Sequence, residues 1–458
     1  MVWTPTISDG EGPLYRRIAD ALAGDIAEGR LRRGQQLPTH RALAQTLGID
    51  LSTVTHAYRE ARARGLIDAH VGRGTFVVET LAQARGPDRG WAQFDLSMNL
   101  PPQPLDADLE GRIAHGIVAL TREQGLSGYL NYREPGGVAA EREAAAAWLK
   151  QRIPQADAAR LLVCPGTQSV LSLLVSTLAS PGDTILTEAL TYPGMKAVAQ
   201  RAQVKLVGVS TDASGILPDA LREAVRRYRP KALYLIPTQH NPTTVTMPPV
   251  RRRQVVEILR ARGLALVEDD AYGALEPEAL CFARLMPELT WHAASVSKCM
   301  APGLRVSFVL APSAVLAAQL AEALRAMVQM SAPLMAGLVA RWISDGSAAA
   351  IVAAIRAEAG ARQKLAAKLL AGRSYAAQPH SHHLWLPLPA RAAPAEFVAQ
   401  ARQRGVAIVG SDAFAVGLDA PNAVRVALGA AASRAELVAA LKVLVAVLDS
   451  PARAAAIV

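Results

Sequence analysis

The chain has 458 residues, of which 51% are hydrophobic, 19% charged and 5% aromatic. This balance predicts about two to four folded domains, and it excludes a mini-protein and an intrinsically disordered chain. Lysine and arginine outnumber aspartate and glutamate by 49 to 39, and the resulting charge of +10 permits an anionic partner without proving one.

The sequence carries no signal for a membrane or for an oxidising compartment. No uncharged apolar stretch approaches the roughly 20 residues that a membrane-spanning helix needs, and the segment MVWTPTISDGEG lacks the features of a signal sequence. The 3 cysteines are an odd number without CxxC spacing, which argues against a disulfide framework and a structural zinc site. We therefore expect a cytoplasmic protein with free thiols and no membrane partner.

Residues 13–78 have the pattern of three helices followed by a β-hairpin. Apolar residues at every fourth position predict the first helix over about 14–28. Turn and cap residues predict a second helix over 40–47 and a third helix that starts at Ser52. Two strand-like runs then surround the glycine-rich turn HVGRG. This order predicts a helix-turn-helix with a wing.

Basic and short polar residues occur where such a unit meets DNA. The second helix of a helix-turn-helix enters the major groove with its N-terminal end, and arginines nearby reach phosphates. Between residues 30 and 73 there are eight arginines and three acidic residues. The expected contacts with double-stranded DNA are Arg41, Ser52, Thr53, Thr55, His56, Arg73 and Gly74.

The head also resembles the winged helix-turn-helix of GntR-type bacterial regulators over residues 12–79. The matching motifs are the opening PLY, the core GRLRRGQQLPTHRALAQTLG, TVTHAY and the closing GRGTFV. The resemblance implies DNA binding. His56 departs from the arginine often found at its position in that family.

The rest of the chain predicts a linker and an α/β body. Residues 80–93 carry glycine, proline and charges without a sustained period, which is typical of a linker. Strand-like and helical segments alternate over residues 94–340, which predicts a mostly parallel central sheet with covering helices. Residues 341–458 predict a smaller α+β C-terminal domain, because three strand-like segments follow a long helix there.

Five motifs of the body stand at predicted strand ends. In VCPGTQSV a helix begins at residues 166–168, where backbone N–H groups can hold an anion. Tyr192 in LTYPG offers an aromatic face, and Asn241 in HNPT offers an amide donor. Asp269 in EDDAY ends a very apolar strand, where burial strengthens an ion pair. Lys298 in SVSK ends another strand, in a chain with 41 arginines but only 8 lysines.

Together these motifs supply the parts of a pyridoxal phosphate site. That cofactor needs a lysine for covalent attachment, a carboxylate at its ring nitrogen, a phosphate cup, a donor to its ring hydroxyl and an aromatic face. Each motif alone also fits a surface residue or a helix cap. Their order and shared position therefore predict pyridoxal 5'-phosphate as a cofactor.

Residues 94–429 resemble the fold type I aminotransferases of the aspartate and kynurenine aminotransferase kind. The motifs that match are DLSMNLPPQP, YREPGG, PGTQ, TYPG, HNPT, EDDAY, SVSK with GLR, and AVRVALG. The resemblance implies that Lys298 is the catalytic lysine, that Asp269 pairs with the pyridine nitrogen, and that Arg425 grips a substrate or effector carboxylate. It further implies cofactor contacts by Tyr132 of a partner subunit and by Gly166, Thr167, Gln168, Tyr192, Asn241, Tyr272, Ser295, Ser297 and Arg305.

Two further features bear on the site. Thr244 stands where the family commonly has glycine, so the loop geometry there is open. The motif HSHH contains His380, His382 and His383, but it lacks a matching carboxylate or cysteine and opens a strand with an expected alternation of exposure. We therefore expect no metal site.

A GntR-type head joined to an aminotransferase-like body resembles the MocR subfamily of bacterial transcription regulators. The resemblance implies a homodimeric regulator that uses pyridoxal phosphate to sense an amine, an amino acid or the cofactor itself. A catalytically active pyridoxal-phosphate-dependent aminotransferase with a DNA-binding head is the alternative, because Asp269, Lys298 and Arg425 are all present. A body that serves only for dimerisation is a third hypothesis, and retention of Lys298 argues against it.

Overall fold

A computed structural model describes most of the chain. The described residues are 3–6, 13–27, 30–31, 35–63, 66–70, 74–77, 92–390, 392–417 and 420–449. The chain divides into two compact units, Met1–Gly90 and Trp91–Val458, which we call the head and the body.

Helices and strands alternate along most of the described residues. The helices are α1 (Leu14–Ala27), α2 (His40–Leu47), α3 (Leu51–Ala63), α4 (Leu109–Gln124), α5 (Ser127–Leu130), α6 (Ala139–Lys150), α7 (Thr167–Leu178), α8 (Pro193–Arg201), α9 (Pro218–Tyr228), α10 (Pro249–Arg260), α11 (Phe282–Leu285), α12 (Ala314–Val328), α13 (Pro333–Ser344), α14 (Ser347–Leu369), α15 (Pro394–Gln403) and α16 (Arg434–Asp449). The strands are β1 (Ile67–His70), β2 (Gly74–Val77), β3 (Phe94–Asp95), β4 (Leu161–Cys164), β5 (Thr184–Glu188), β6 (Lys205–Val209), β7 (Thr211–Asp212), β8 (Gly215–Ile216), β9 (Ala232–Leu235), β10 (Ala265–Asp270), β11 (Thr290–Ser295), β12 (Ser307–Leu310), β13 (His383–Pro387), β14 (Val406–Ala407), β15 (Val409–Gly410) and β16 (Ala423–Ala427).

The head has the predicted helix-turn-helix. Helix α2 begins after Thr39, whose Oγ1 accepts a hydrogen bond from the Ala42 N–H at 3.2 Å. It ends at Gly48, whose φ of 64° is favourable for glycine. The Asp50 carboxylate then accepts from the Ser52 N–H at 2.7 Å, at the start of α3. The third helix therefore begins one residue before the predicted Ser52.

A small apolar core and a hairpin complete the head. Strands β1 and β2 are antiparallel, and Leu37 N–H donates to Thr75 O at 2.8 Å, so the chain before α2 borders the hairpin. This is the predicted wing. The buried core residues are Trp3, Ala19, Leu22, Leu31, Leu37, Leu43, Ala44, Val54, Tyr58, Ala61, Ile67 and Val77.

A seven-stranded sheet organises the body. Its strand order is β4-β12-β11-β10-β9-β5-β6, in which β12 is antiparallel to both neighbours and the other neighbouring pairs are parallel. Leu233 and Leu266 pack in one apolar cluster, whereas Tyr234 and Val267 pack in another, so both faces are covered. The mostly parallel α/β sheet is confirmed, and its parallel strands end at one edge.

The last part of the chain forms a three-stranded antiparallel sheet, in the order β13-β16-β15. Leu384 and Leu386 pack with α15 and α16, while Trp385 packs on the opposite side with Phe414. The expected alternation of exposure after the HSHH motif is therefore wrong: His383 and the three residues after it are all buried, because both faces are covered.

None of the helices in the described ranges is by itself long and apolar enough to cross a membrane. Helices α13 and α14 satisfy length and composition together, although they are bent by 85° at the break between them.

Candidate functional site

A cavity of about 580 Å³ opens where strands β9, β10 and β11 end. Most of the residues that the sequence predicts for the cofactor line it. These are Thr167, Gln168, Tyr192, Asn241, Asp269, Tyr272, Ser295, Ser297, Lys298, Arg305 and Arg425. Tyr132 does not line it and is 81% exposed.

Gly166 joins this group through its contact with Arg305. Its φ is 87°, and a Cβ atom there would lie 2.5 Å from Arg305 Nη2. The same guanidinium nitrogen donates to Pro165 O at 3.2 Å. Glycine thus permits the arginine to lie against the turn that precedes α7. The first N–H groups of α7, at Thr167 and Gln168, precede the first hydrogen bonds of the helix, so this corner suits an anion.

Hydroxyl and amide groups surround the corner. Ser297 N–H donates to Ser295 Oγ at 3.1 Å, the Thr167 and Ser307 hydroxyls are 3.3 Å apart, and the Gln168 amide donates to Gly194 O at 3.0 Å. We call the residues of this corner that can hold an anion the phosphate cup, which consists of Gly166, Thr167, Gln168, Ser295, Ser297 and Arg305.

Asp269 is held by a tyrosine that sequence reasoning missed. Tyr234 OH donates to Asp269 Oδ2 at 2.7 Å, and both residues are buried. Burial raises the pKa of Asp269 to about 6, although the Tyr234 hydrogen bond acts in the opposite direction. A cation in the cavity would therefore be stabilised by this carboxylate and would return it to its charged form. The alternation of β9 could have identified Tyr234, since it shares a sheet face with Asp269.

Lys298 is half-buried, and its Nζ donates to Asn99 O at 2.5 Å. Burial lowers the pKa of Lys298 from 10.5 to about 8, and the positive charge of Arg425 lowers it further while Asp269 acts in the opposite direction. A substantial fraction of this lysine is therefore neutral near neutral pH. Because only the neutral amine is a nucleophile, the site activates the residue.

Arg425 and Asn241 form a pair in the cavity. Arg425 Nη1 donates to Asn241 Oδ1 at 2.9 Å, and Nη2 donates to Ser97 O. The Asn241 oxygen is thus used, and its amide NH₂ is the group that can serve as a donor to a ligand. Asn99 Nδ2 donates to Tyr272 OH at 2.8 Å, so the Tyr272 proton can be given to an acceptor.

Sequence reasoning considered His382 and His383 only as metal ligands and missed their contacts with the cavity residues. His382 Nε2 lies 2.6 Å from Lys298 O, and His383 Nδ1 lies 3.0 Å from Asn99 Nδ2. Burial lowers the pKa of His382 to about 4 and that of His383 well below 6.5, so both rings are neutral near neutral pH. The signal was the HSHH motif itself. Its histidines support the lysine and the Asn99 segment.

Within the described ranges, one group of residues has donor atoms close enough for a metal ion: Glu268 of β10, His292 of β11 and Cys281. The Glu268 carboxylate already accepts from the N–H groups of Phe282 and Ala283, and it lies 2.8 Å from His292 Nδ1. Burial raises the pKa of the Cys281 thiol well above its usual range, so it remains protonated. These contacts make the group a structural polar network.

The cavity presents several buried polar atoms that have no hydrogen-bond partner among the described residues. They are Asn99 Oδ1, Gln168 Oε1, Asp269 Oδ1, Ser297 Oγ and Arg425 Nε. An apolar ligand would leave them unpaired, and that is costly. Pyridoxal phosphate brings a ring nitrogen, a ring hydroxyl and a phosphate. The residues present therefore fit this cofactor.

The head carries the other candidate site, on α2 and α3. Arg41, Ser52 and His56 are exposed, while Thr53 and Thr55 are half-buried. All five lie in the first turns of these helices, where a helix-turn-helix meets DNA.

Some of the predicted DNA contacts are engaged within the head. Thr55 Oγ1 donates to Leu51 O at 2.9 Å, and the His56 ring meets the Tyr15 ring edge-on at 5.9 Å. Gly74 starts β2 with a φ of 106°. Arg73, predicted for the tip of the wing, lies outside the described residues.

Comparisons with known proteins identify both parts of the chain. Residues 14–77 match the gntR family of bacterial regulatory proteins. Residues 95–444, more than half of the chain, match the family of class I and II aminotransferases. The chain belongs to the MocR-type regulators. In these proteins a gntR head precedes an aminotransferase-like body.

Full-length relatives of this MocR-type regulator are named as transcription regulators. YdeF of Bacillus subtilis, an uncharacterized HTH-type transcriptional regulator, is 30% identical over 454 residues, which cover 98% of this chain and 97% of YdeF. The HTH-type transcriptional regulator TauR of Rhodobacter capsulatus is 27% identical over 405 residues, 79% of this chain and 80% of TauR.

Solved structures show the common fold of the body. The α-aminoadipate aminotransferase LysN of Thermus thermophilus, solved with N-(5'-phosphopyridoxyl)-L-leucine, has a TM-score of 0.70 at 24% identity and covers 85% of this chain and 98% of its own. The kynurenine aminotransferase of Pyrococcus horikoshii has a TM-score of 0.72 at 21% identity, with 79% and 91% covered.

Proposed function

We propose that this MocR-type regulator is a cytoplasmic transcription regulator that binds pyridoxal 5'-phosphate through Lys298 and senses an amino compound or the cofactor itself. The observation that carries the proposal is the joining, in one chain, of a gntR head to a cavity in which a half-buried lysine, a buried carboxylate and the phosphate cup converge. The head binds double-stranded DNA, and ligands in the body change its affinity.

Different cavity residues would bind different parts of the cofactor. Pyridoxal phosphate supplies an aldehyde that joins amines covalently. Lys298, with its pKa of about 8, loses its proton easily and attaches the cofactor. The Asp269 carboxylate would accept a hydrogen bond from the protonated ring nitrogen. Asn241 and Tyr272 would bind the ring hydroxyl, and Tyr192 would cover the ring face. The phosphate cup holds the phosphate.

Two cations of the site connect the ligands to one backbone segment. Lys298 donates to Asn99 O and Arg425 donates to Ser97 O. Attachment of the cofactor removes the first donor, and an effector carboxylate competes for the second. The cofactor alone therefore releases residue 99, whereas an effector, whose amine takes the aldehyde and frees Lys298 again, releases residue 97 instead. In sequence this segment closely follows residues 80–93, the proposed linker, so its release is a means of altering how the heads are held.

We further propose a homodimer in which Tyr132 of the partner subunit reaches the cofactor. Tyr132 is 81% exposed and Leu130, two residues before it, is 75% exposed, and neighbouring apolar side chains left in water favour a partner surface. The proposed domains are residues 12–79 for the head, 80–93 for the linker, 94–340 for the cofactor-binding domain and 341–458 for the small domain.

The proposed DNA contacts are the exposed side chains at the start of α2 and α3, with Arg73 at the wing. Arginine supplies the salt-dependent attraction to phosphates, whereas Ser52, Thr53 and His56 face the base edges. Thr55 and Gly74 then complete the set.

The test measures operator binding with and without ligands. A binding site is first selected from random duplex DNA with the full-length protein, and affinity is then measured by fluorescence anisotropy for the wild type and Lys298→Ala. We expect pyridoxal phosphate, alone or with an amine, to change the wild-type affinity about 5- to 150-fold and to leave Lys298→Ala unchanged. Unchanged wild-type affinity under saturating cofactor and a broad amine panel refutes the sensor.

A working aminotransferase is the second candidate. It is favoured by one observation: Asp269, Lys298 and Arg425 line the same cavity. Transamination moves a proton at the α-carbon of an amino acid, and these residues would stabilise the cofactor ring, act as the base and hold the carboxylate. The full-length relatives favour regulation instead. Incubation with an amino acid and a keto acid distinguishes the two, because an enzyme produces new amino acid over many turnovers while a sensor stops after binding or one half reaction.

A further inference from the structure

The arginine proposed to bind the effector carboxylate lies in an apolar wall. Arg425 in β16 is the register partner of Trp385 in β13 and of Val409 in β15. Residues directly opposite in antiparallel strands project to the same face, so these three side chains form one row. The Phe414 ring centre lies 5.0 Å from the Arg425 guanidinium carbon and 6.2 Å from the Trp385 ring. Aromatic and aliphatic groups thus surround this cation.

One edge of the Arg425 guanidinium defines where a carboxylate would bind. Its Nε is buried and has no partner among the described residues, while Nη2 donates to the backbone oxygen of Ser97. Nε and Nη2 lie on one edge of the guanidinium, which matches a carboxylate held by two parallel hydrogen bonds. The third donor, Nη1, remains with Asn241. One carboxylate would therefore satisfy Nε and take the Nη2 donor over from Ser97 O.

Among the described residues that line the cavity, no further charged side chain is available to pair with a second charge on an effector. The charged side chains that line it are Asp269, Lys298, Arg305 and Arg425. Under the proposed function the first three hold the cofactor, and of the charged side chains that this subunit contributes only Arg425 is left for the effector. A second charged group on the effector would meet the apolar row, and burial of an unpaired charge is strongly unfavourable.

We infer that the effector is an amino acid with a single carboxylate and an uncharged, apolar side chain. This inference rests on the proposed function, because it requires the cofactor on Lys298. Arg425 takes the carboxylate, and the side chain packs against Val409 and Phe414, from which apolar contact gains affinity. Dicarboxylic and dibasic amino acids bind more weakly.

The test is a titration of the full-length protein loaded with pyridoxal phosphate. Leucine, methionine and phenylalanine are compared with aspartate, glutamate and lysine, and binding is followed by the cofactor absorbance and by the thermal unfolding midpoint. Lys298→Ala gives the baseline. We expect half-saturation by the apolar amino acids at concentrations at least about tenfold lower than for the charged ones.

The outcomes separate the inference from the proposed function. If aspartate, glutamate or lysine binds best, or if amines without a carboxylate bind as well as leucine, the inference is overturned while a Lys298-dependent absorbance band still supports the proposed function. If no band depends on Lys298, the proposed function fails and the inference fails with it.

A matched pair of variants tests the row directly. Val409→Arg adds a cation beside Arg425 and should improve aspartate and glutamate binding relative to leucine by at least about tenfold. Val409→Met has a side chain of intermediate length without charge and should keep the apolar preference. An identical preference in the two folded variants contradicts the inference. The wild-type titration decides alone if Val409→Arg does not fold.

Discussion

The lowered pKa of Lys298 predicts how fast the protein captures its cofactor at different pH values. At about pH 7.5, a lysine with a pKa of about 8 is roughly one quarter neutral, whereas one with the ordinary pKa of 10.5 is about 0.1% neutral. Only the neutral amine attacks an aldehyde, so the site holds roughly 200-fold more of the reactive form than an exposed lysine at that pH and should react faster. Stopped-flow absorbance with fixed pyridoxal phosphate measures this rate. It should rise with pH and level off above about pH 8.

Two charge variants test the stated cause. Arg425→Met removes a positive charge that lowers the Lys298 pKa, so the midpoint of the pH profile should move up. Asp269→Asn removes a negative charge that raises it, so the midpoint should move down. A free alkyl amine measured in parallel corrects for titration of the cofactor itself. A wild-type midpoint at about pH 10, or one common midpoint for all three proteins, would refute the reasoning.

Three other substitutions have defined outcomes. Gly166→Ala should weaken cofactor binding about tenfold or more in equilibrium dialysis, because the added Cβ meets the Arg305 guanidinium of the phosphate cup. The control is Gly182→Ala, at a glycine with a similar positive φ but no atom near its Cβ, which should leave binding unchanged. Tyr234→Phe removes the hydrogen bond that lowers the pKa of the ring-nitrogen carboxylate, so its pKa should rise and cofactor affinity should fall about tenfold, with the largest loss at lower pH; an unchanged affinity profile contradicts this role. Arg41→Ala should reduce the salt dependence of DNA binding by about one counterion, whereas the exposed body variant Arg222→Ala should not change it.

The fold of the head could be predicted closely because its signals are local. Thr39 and Gly48 bound α2 by cap chemistry, and such signals act within a few residues of each other. The parallel strands were recognised from continuous apolar runs, as expected for a sheet covered on both faces. The alternating exposure expected for β13 was wrong, because both of its faces are covered. Its second cover comes from Phe414, distant in sequence.

The site was only partly predictable from sequence. Lys298 and Asp269 could be predicted from motifs at strand ends, because the end of a strand can be recognised from the residues next to it. The supports of these residues were not found, since Tyr234 and Asn99 reach them through tertiary contacts across 35 and 199 residues. Thr244 shows the converse: the family position is commonly glycine, and this threonine adopts a φ of 65°, the conformation that glycine favours.

The energies of the two contacts at residues 97–99 are sufficient for regulation. A hydrogen bond from a charged donor contributes about 1.5–3 kcal/mol when it is buried, and Lys298 and Arg425 each make one such bond to this segment. A ligand shifts an equilibrium only by the difference of its affinities for the two states. Coupling of about 1–3 kcal/mol changes an affinity 5- to 150-fold, so replacement of even one bond is on the required scale. The aldehyde joins one amine at a time, so an effector amine that takes it returns Lys298 as a free donor to Asn99 O. The cofactor alone therefore acts on the Lys298 contact, whereas an effector carboxylate acts on the Arg425 contact with Ser97 O.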